Sequence, residues 1–218
     1  MGRAGAPEIL DSVSDYYAGR LEQHGTTPAG VDWSSEDSQQ LRFAELLKLI
    51  DWRVAPSLLD YGCGYGALAQ LLCRGEREFS YVGFDLAEPM VEAARSLLDD
   101  RRCQFTADER TLSSADYALA SGIFNVRLQT DETSWHAYIV EVLDSLASLS
   151  GAGFAFNMLT RYADPPLMRG DLYYADPARY FKLCKERYSR NVSVLHDYDL
   201  YEFTIHVRLG QPPKPLAD

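Results

Sequence analysis

Asp60, Gly62, Gly64, Gly66 and Asp85 are the residues of this sequence whose types and spacing point to chemistry. They lie in the stretches Leu58-Leu59-Asp60-Tyr61-Gly62-Cys63-Gly64-Tyr65-Gly66-Ala67-Leu68 and Tyr81-Val82-Gly83-Phe84-Asp85. Alternating glycines let a backbone turn tightly and approach a ligand where a Cβ would obstruct it. Asp85 follows Gly66 by 19 positions and ends an apolar, strand-like run. In a strand–loop–helix–strand unit such a carboxylate sits beside the glycine loop, at the carboxyl ends of adjacent parallel strands. There it accepts hydrogen bonds from ribose hydroxyls.

These residues need elements to hold them. The apolar run before Asp60 predicts a strand at 57–61, and a helix over 66–74 follows the glycines. A second strand at 79–85 presents Asp85, and Pro89 suits the first turn of a helix reaching about Asp100. Strands are expected at 103–107 and 117–124. Asp131 precedes a helix with Trp135, Tyr138, Ile139, Val142, Leu143 and Leu146 on one face, which Gly151 ends before a strand at 154–158. Upstream, Ile9, Leu10, Val13, Tyr16, Tyr17 and Leu21 predict a helix from Pro7 to about His24-Gly25. The stretch 26–33 predicts a loop, and Ser34 or Ser35 caps a second helix bearing Phe43, Leu46, Leu47 and Ile50. Downstream, Asp176-Pro177 opens a further helix, and the β-rich runs 192–196 and 201–207 predict an antiparallel hairpin. The expected fold is α/β: a seven-stranded, mostly parallel sheet with helices on both faces, a carboxyl-terminal antiparallel hairpin and extra amino-terminal helices capping the site. One unit of 218 residues is expected, with a helical cap at 1–55, a core at 56–210 and a mobile, proline-rich tail at 211–218. Residues 1–6 are expected to be a loose tail.

The form D-x-G-C-G-x-G, from Asp60 to Gly66, resembles motif I of the class I S-adenosylmethionine (SAM)-dependent methyltransferases. A terminal hairpin that inserts a reversed strand is a second feature of that family, and the resemblance covers about 56–210. It implies SAM as cofactor and S-adenosylhomocysteine as product, with the glycine loop against the methionine and ribose portions. The segments 30–33 and 195–198 are similar to those of a group of bacterial small-molecule methyltransferases. Two alternatives stand beside this. Gly62, Gly64 and Ala67 also satisfy the G-x-G-x-x-A of an NAD(P)-dependent oxidoreductase. A methyltransferase-like domain can also serve as a non-catalytic binding scaffold. No Asn-Pro-Pro-Tyr motif follows the fourth predicted strand, where Asn125-Val126-Arg127 stands, which removes one family of nucleic-acid and glutamine modifiers.

The resemblance assigns further cofactor contacts. Asp60 stands near the loop amides and the cofactor's amino group, and Asp85 takes both ribose hydroxyls. Asp108 or its neighbour Glu109 receives the adenine amine, Leu86 and Met90 sandwich the ring, and Ser121 and Gly122 lie beneath the transferring methyl. Cys63 fits within the loop by its small size. Arg42, preferred to Arg20, would hold the cofactor carboxylate through a bidentate pair. For the acceptor, Tyr16, Tyr17 and Tyr174 offer flat apolar faces with polar tips, and His24 and Asn157 are further candidates. His196, beside Asp197, is the candidate base, and Asn125 the candidate acceptor contact. The 162–174 loop is long enough to act as a lid. No two of the histidines have helical metal-ligand spacing, so no metal site is expected.

Composition sets outer limits. A net charge of -11 argues against a protein that wraps nucleic acid, and 46% hydrophobic with 24% charged residues is ordinary globular usage. Cys63, Cys73, Cys103 and Cys184 show no C-x-x-C spacing and suit four buried free thiols in a reducing compartment. Met1 to Pro7 lacks the apolar core of a signal peptide, and a cytoplasmic monomer or homodimer without membrane contact is expected. Within these limits, the resemblance implies methyl transfer to the oxygen or nitrogen of a small metabolite.

Overall fold

The computed structural model describes residues 7–210. The expected tails at 1–6 and 211–218 lie outside the described residues. Helix α1 (Pro7–His24) is followed by a 3₁₀ turn at Pro28–Val31, inside the stretch predicted as loop, and by α2 (Glu36–Leu47). Ser35 caps α2 through a capping box with Ser38, which satisfies two otherwise orphaned amides. The core then alternates: β1 (Ser57–Tyr61), α3 (Ala67–Cys73), β2 (Ser80–Phe84), α4 (Glu88–Leu97), β3 (Cys103–Thr106), β4 (Ala115–Ala120), α5 (Glu132–Ser148) and β5 (Ser150–Leu159). Helix α6 (Pro177–Arg187) and the hairpin of β6 (Val192–Leu195) and β7 (Glu202–Arg208) complete it.

The seven strands run in the order β3-β2-β1-β4-β5-β7-β6. The first five are parallel, and β7 lies antiparallel between β5 and β6. From β1 the chain winds outward through β2 and β3, then returns to β4 on β1's other side. The switch point therefore falls between β1 and β4, where α/β sheets open a crevice at their carboxyl ends. Side-chain alternation divides the core between two faces. Leu59, Ala118, Ala120, Phe154 and Phe156 pack with Trp135, Ile139 and Leu143 of α5 and Tyr180 of α6. Leu58, Tyr117, Leu119 and Ala155 pack with Phe43 and Leu46 of α2, Leu68 of α3 and Val91 of α4.

Two predicted boundaries move by four residues. Strand β4 stops at Ala120 instead of reaching 124, because Gly122 takes φ +75° and breaks the extended run. Strand β5 starts at Ser150, before the predicted 154, because Gly151 and Gly153 belong to the strand instead of ending α5; a Cβ on Gly153 would stand 2.5 Å from the Val207 carbonyl of β7. No helix among the described residues is long and apolar enough to cross a membrane.

Candidate functional site

The glycine turn is built on the end of β2. The amides of Gly62 and Cys63 both donate to the Phe84 carbonyl, at 2.7 and 2.9 Å. Gly62 has φ +85°, and a Cβ there would stand 2.2 Å from Ile123 Cγ2, so only glycine fits. Asp85, one residue past β2, locks the turn: its Oδ2 accepts from Gly64 N at 2.8 Å and its Oδ1 from Ala87 N at 3.0 Å. Burial raises its pKa, and the two amides act against that rise.

Asp60 faces the same space from β1. It is buried, its Oδ2 accepts from the Tyr81 hydroxyl, and its Oδ1 has no hydrogen-bond partner. Burial pushes its pKa up to about 7, with Tyr81's hydrogen bond opposing the rise and the Asp85 charge adding to it. A buried carboxylate oxygen without a donor is costly, and a cationic donor placed against it would be held strongly.

Around these acids lies a cavity with about 860 Å³ of empty space, counted to its open mouth. Of the residues predicted from sequence, Asp60, Gly62, Cys63, Gly64, Asp85, Leu86, Met90, Ser121 and Tyr17 line it. Helix α1 contributes Val13, Ser14 and Tyr17, and α2 contributes Gln39 and Phe43, so both amino-terminal helices wall the cavity. Gly66 stands just behind, as the N-cap of α3.

Other predicted residues are placed elsewhere, each for a visible reason. Arg42 is buried beneath Trp33, 3.9 Å from its ring, and forks onto Glu202 of β7 with Nε and Nη2 at 2.7–2.9 Å. A guanidinium already paired in this way does not line the cavity. Asp108 caps the 3₁₀ turn Glu109–Thr111 and pairs with Arg110, which holds its carboxyl below the usual range. Glu109 accepts from the Tyr61 hydroxyl at 2.6 Å, one side chain removed from the cavity. Gly122 packs on Trp33, where a Cβ would meet the ring at 2.3 Å.

Asn157 is wholly buried. Its Oδ1 accepts from Gly122 N at 2.7 Å and its Nδ2 donates to Ser121 Oγ at 3.3 Å, so it braces the cavity floor without lining it. Asn125 has a similar bracing role: its Oδ1 accepts from Leu159 N and its carbonyl from Tyr173 N. His196 is exposed at the end of the edge strand β6, near Tyr162 and Phe203, and His24 is exposed at the end of α1. Tyr16 donates to Asp32 at 3.0 Å, and the Tyr174 hydroxyl accepts from Arg169 N at 2.9 Å. Both belong to a latch outside the cavity in which Arg169 Nη1 reaches both Asp32 oxygens at 3.0 and 3.2 Å.

Sequence reasoning missed Trp33, Gln39 and Ile123 as lining residues, and placed Val13, Phe43 and Tyr138 only on core faces. Trp33 had a signal, since it closes the 30–33 segment that resembles bacterial small-molecule methyltransferases. Gln39 had none, because a glutamine on an amphipathic helix reads as a polar face until its hydroxyl partner, Tyr65 at 3.3 Å, is known.

A family model described as a methyltransferase domain matches residues 58–148, which span the glycine turn, Asp85 and β4. The chain is 50% identical over 153 residues to Rv1506c of Mycobacterium tuberculosis, a protein named as a methyltransferase, covering 70% of this chain and 92% of that one. It is 40% identical over 84 residues to the nocamycin O-methyltransferase of Saccharothrix syringae, covering 37% of this chain and 29% of that enzyme. The fold is similar to human N-acetylserotonin methyltransferase in complex with SAM, with a TM-score of 0.66 at 16% identity over 94% of this chain and 60% of that one.

Proposed function

The chain belongs to the class I SAM-dependent methyltransferases, and we propose that it methylates an oxygen or nitrogen of a small molecule. The observation that carries this is the cavity itself. Its acid-and-glycine floor is covered by α1 and α2 and walled by Tyr17, Trp33, Phe43 and Tyr138. That enclosure suits a compact acceptor with an apolar body better than a polymer. The names of the nocamycin and N-acetylserotonin enzymes lend support. The acidic net charge agrees with a partner other than nucleic acid, and a cytoplasmic protein of one unit, monomeric or homodimeric, completes the proposal.

The residues present fit the cofactor. Asp60 Oδ1, buried and without a donor, would take the ammonium group, and Asp85 would take the ribose hydroxyls while its other lone pairs hold the Gly64 and Ala87 amides. Leu86 and Met90 supply apolar surface for the base, and Ser121 closes the floor. When bound, the sulfonium supplies an activated methyl group, so alignment for in-line displacement is the main catalytic demand. Asn157 serves that alignment by fixing Ser121 and Gly122. No histidine or lysine is among the described residues lining the cavity, nor is Asn125, whose side chain is engaged with Leu159, so this proposal retains neither His196 as base nor Asn125 as acceptor contact. The acceptor's proton passes to water or is already absent from an ionised acceptor.

The test is calorimetric titration of S-adenosylhomocysteine, with NADH alongside, into wild type and Asp85→Ala, followed by transfer of a labelled methyl group to candidate metabolites. Micromolar binding, about 8 kcal/mol, is expected for wild type and at least tenfold weaker binding for the variant. Binding of NADH instead would remove the cofactor assignment. Tight binding without transfer to any small acceptor would favour the scaffold reading.

A further inference from the structure

We propose that Cys73 and Cys103 form a redox-active pair that closes into an intramolecular disulfide under oxidising conditions. Their Sγ atoms lie 3.5 Å apart, with Cys73 closing α3 and Cys103 opening β3. The two are free and half-buried, whereas Cys63 and Cys184 are buried, so the expectation of four buried thiols fails at this pair. A disulfide needs the sulfurs at about 2 Å, so the gap to close is about 1.5 Å. Side-chain rotation supplies much of that. β3 also pairs on one side only, at the edge of the sheet, and has room to yield.

The surroundings decide which thiol acts first. Burial pushes the Cys103 thiol up to about 12, while Cys73 is raised less. The Arg102 guanidinium, bound to Asp100 at 2.7 Å, also donates to the Cys73 carbonyl at 3.3 Å. Cys73 is therefore the attacking thiolate. With hydrogen peroxide as oxidant, its sulfur takes one oxygen, the O–O bond breaks, and a sulfenic acid forms as hydroxide leaves. The Cys103 sulfur then attacks, the S–S bond forms, the S–O bond breaks and water departs. Two thiols and one peroxide give one disulfide and two waters.

Neither thiolate is abundant at neutral pH, so closure is slow. A high-pKa thiol is also a poor leaving group, so reductive opening by attack on the Cys73 sulfur is slow as well. The ring so formed encloses β2, Asp85 and α4 with Met90, the half of the cavity that follows the glycine turn. Restricting that 30-residue separation constrains the unfolded chain and stabilises the fold.

The test treats reduced full-length protein with hydrogen peroxide or oxidised glutathione, then alkylates and maps its peptides. The expected product is about 2 Da lighter than the reduced chain and carries a peptide joining Cys73 to Cys103. It melts about 5 °C higher, a rise that strong reductant reverses. Cys73→Ser and Cys103→Ala should each melt cooperatively when reduced and lose both the linkage and the oxidative rise. Four alkylated cysteines after oxidation, a link through Cys63 or Cys184, or a cross-link between chains would overturn the proposal.

Discussion

Asp60 carries the clearest consequence at the scale of a single residue. Its carboxyl is held to about pH 7, against an ordinary value of 3.8, because burial disfavours the charge. Between those values the folded chain keeps a proton that the unfolded chain has lost. Stability from this group is therefore greatest below about pH 4, falls as pH rises, and levels off above about pH 7, with a span on the order of 4 kcal/mol. Denaturation midpoints of the ligand-free protein should show that decline, and Asp60→Asn should flatten it. Cofactor affinity should run the opposite way, because an ammonium group needs the ionised carboxylate. Binding of S-adenosylhomocysteine should tighten by up to about tenfold for each pH unit gained toward neutrality in wild type, and by much less in Asp60→Asn. An affinity independent of pH would remove Asp60 from the ammonium site.

The connecting segments, more than the helices and strands, decide how the cavity is closed. Asp32 sits at φ 60°, between Val31 and Trp33, both of which line the cavity. Its carboxylate takes Tyr16, Arg20 and Arg169 together, tying α1, the 3₁₀ turn after it and the loop after β5 into one latch. Exposed ion pairs contribute about 1 kcal/mol or less to global stability. Arg169→Ala should accordingly leave the melting temperature within about 2 °C of wild type. Its effect should be local: faster amide exchange at 28–33 and 165–172, and faster release of S-adenosylhomocysteine measured by stopped flow. Unchanged exchange in both segments would show that the latch holds nothing closed.

At the scale of the whole molecule, α2 and the turn after it are joined to β7, near the far edge of the sheet, by polar contacts. Arg42 of α2 is bound to the fully buried Glu202 of β7, His206 of β7 meets the Glu45 carbonyl at 2.9 Å, and Arg208 donates to the Leu49 carbonyl. Removing one partner of a buried ion pair strands the other, so Arg42→Ala or Glu202→Ala should each cost about 3–5 kcal/mol in denaturant unfolding. The pair Arg42→Met with Glu202→Leu should recover most of that loss. Equal losses in the single and double variants would show that packing, not charge, holds α2 there. This contact also marks the limit of what could be read from the chain alone. The order of helices and strands, the glycine turn and Asp85 were legible because each rests on local periodicity or on glycines and acids a few residues apart. The partners of Arg42, Asn125 and Asn157 were not legible, since a charged or amide side chain binds whatever the fold brings to it. Arg42 finds Glu202 at a separation of 160 residues, and Cys73 finds Cys103 at 30. The sequence by itself determined the class of fold and the glycine-and-acid floor of the cavity, because backbone conformation and strand-end placement are short-range. Only the tertiary structure decided which side chains wall the cavity and which merely brace it, because that choice depends on how α1, α2 and β7 pack across the sheet.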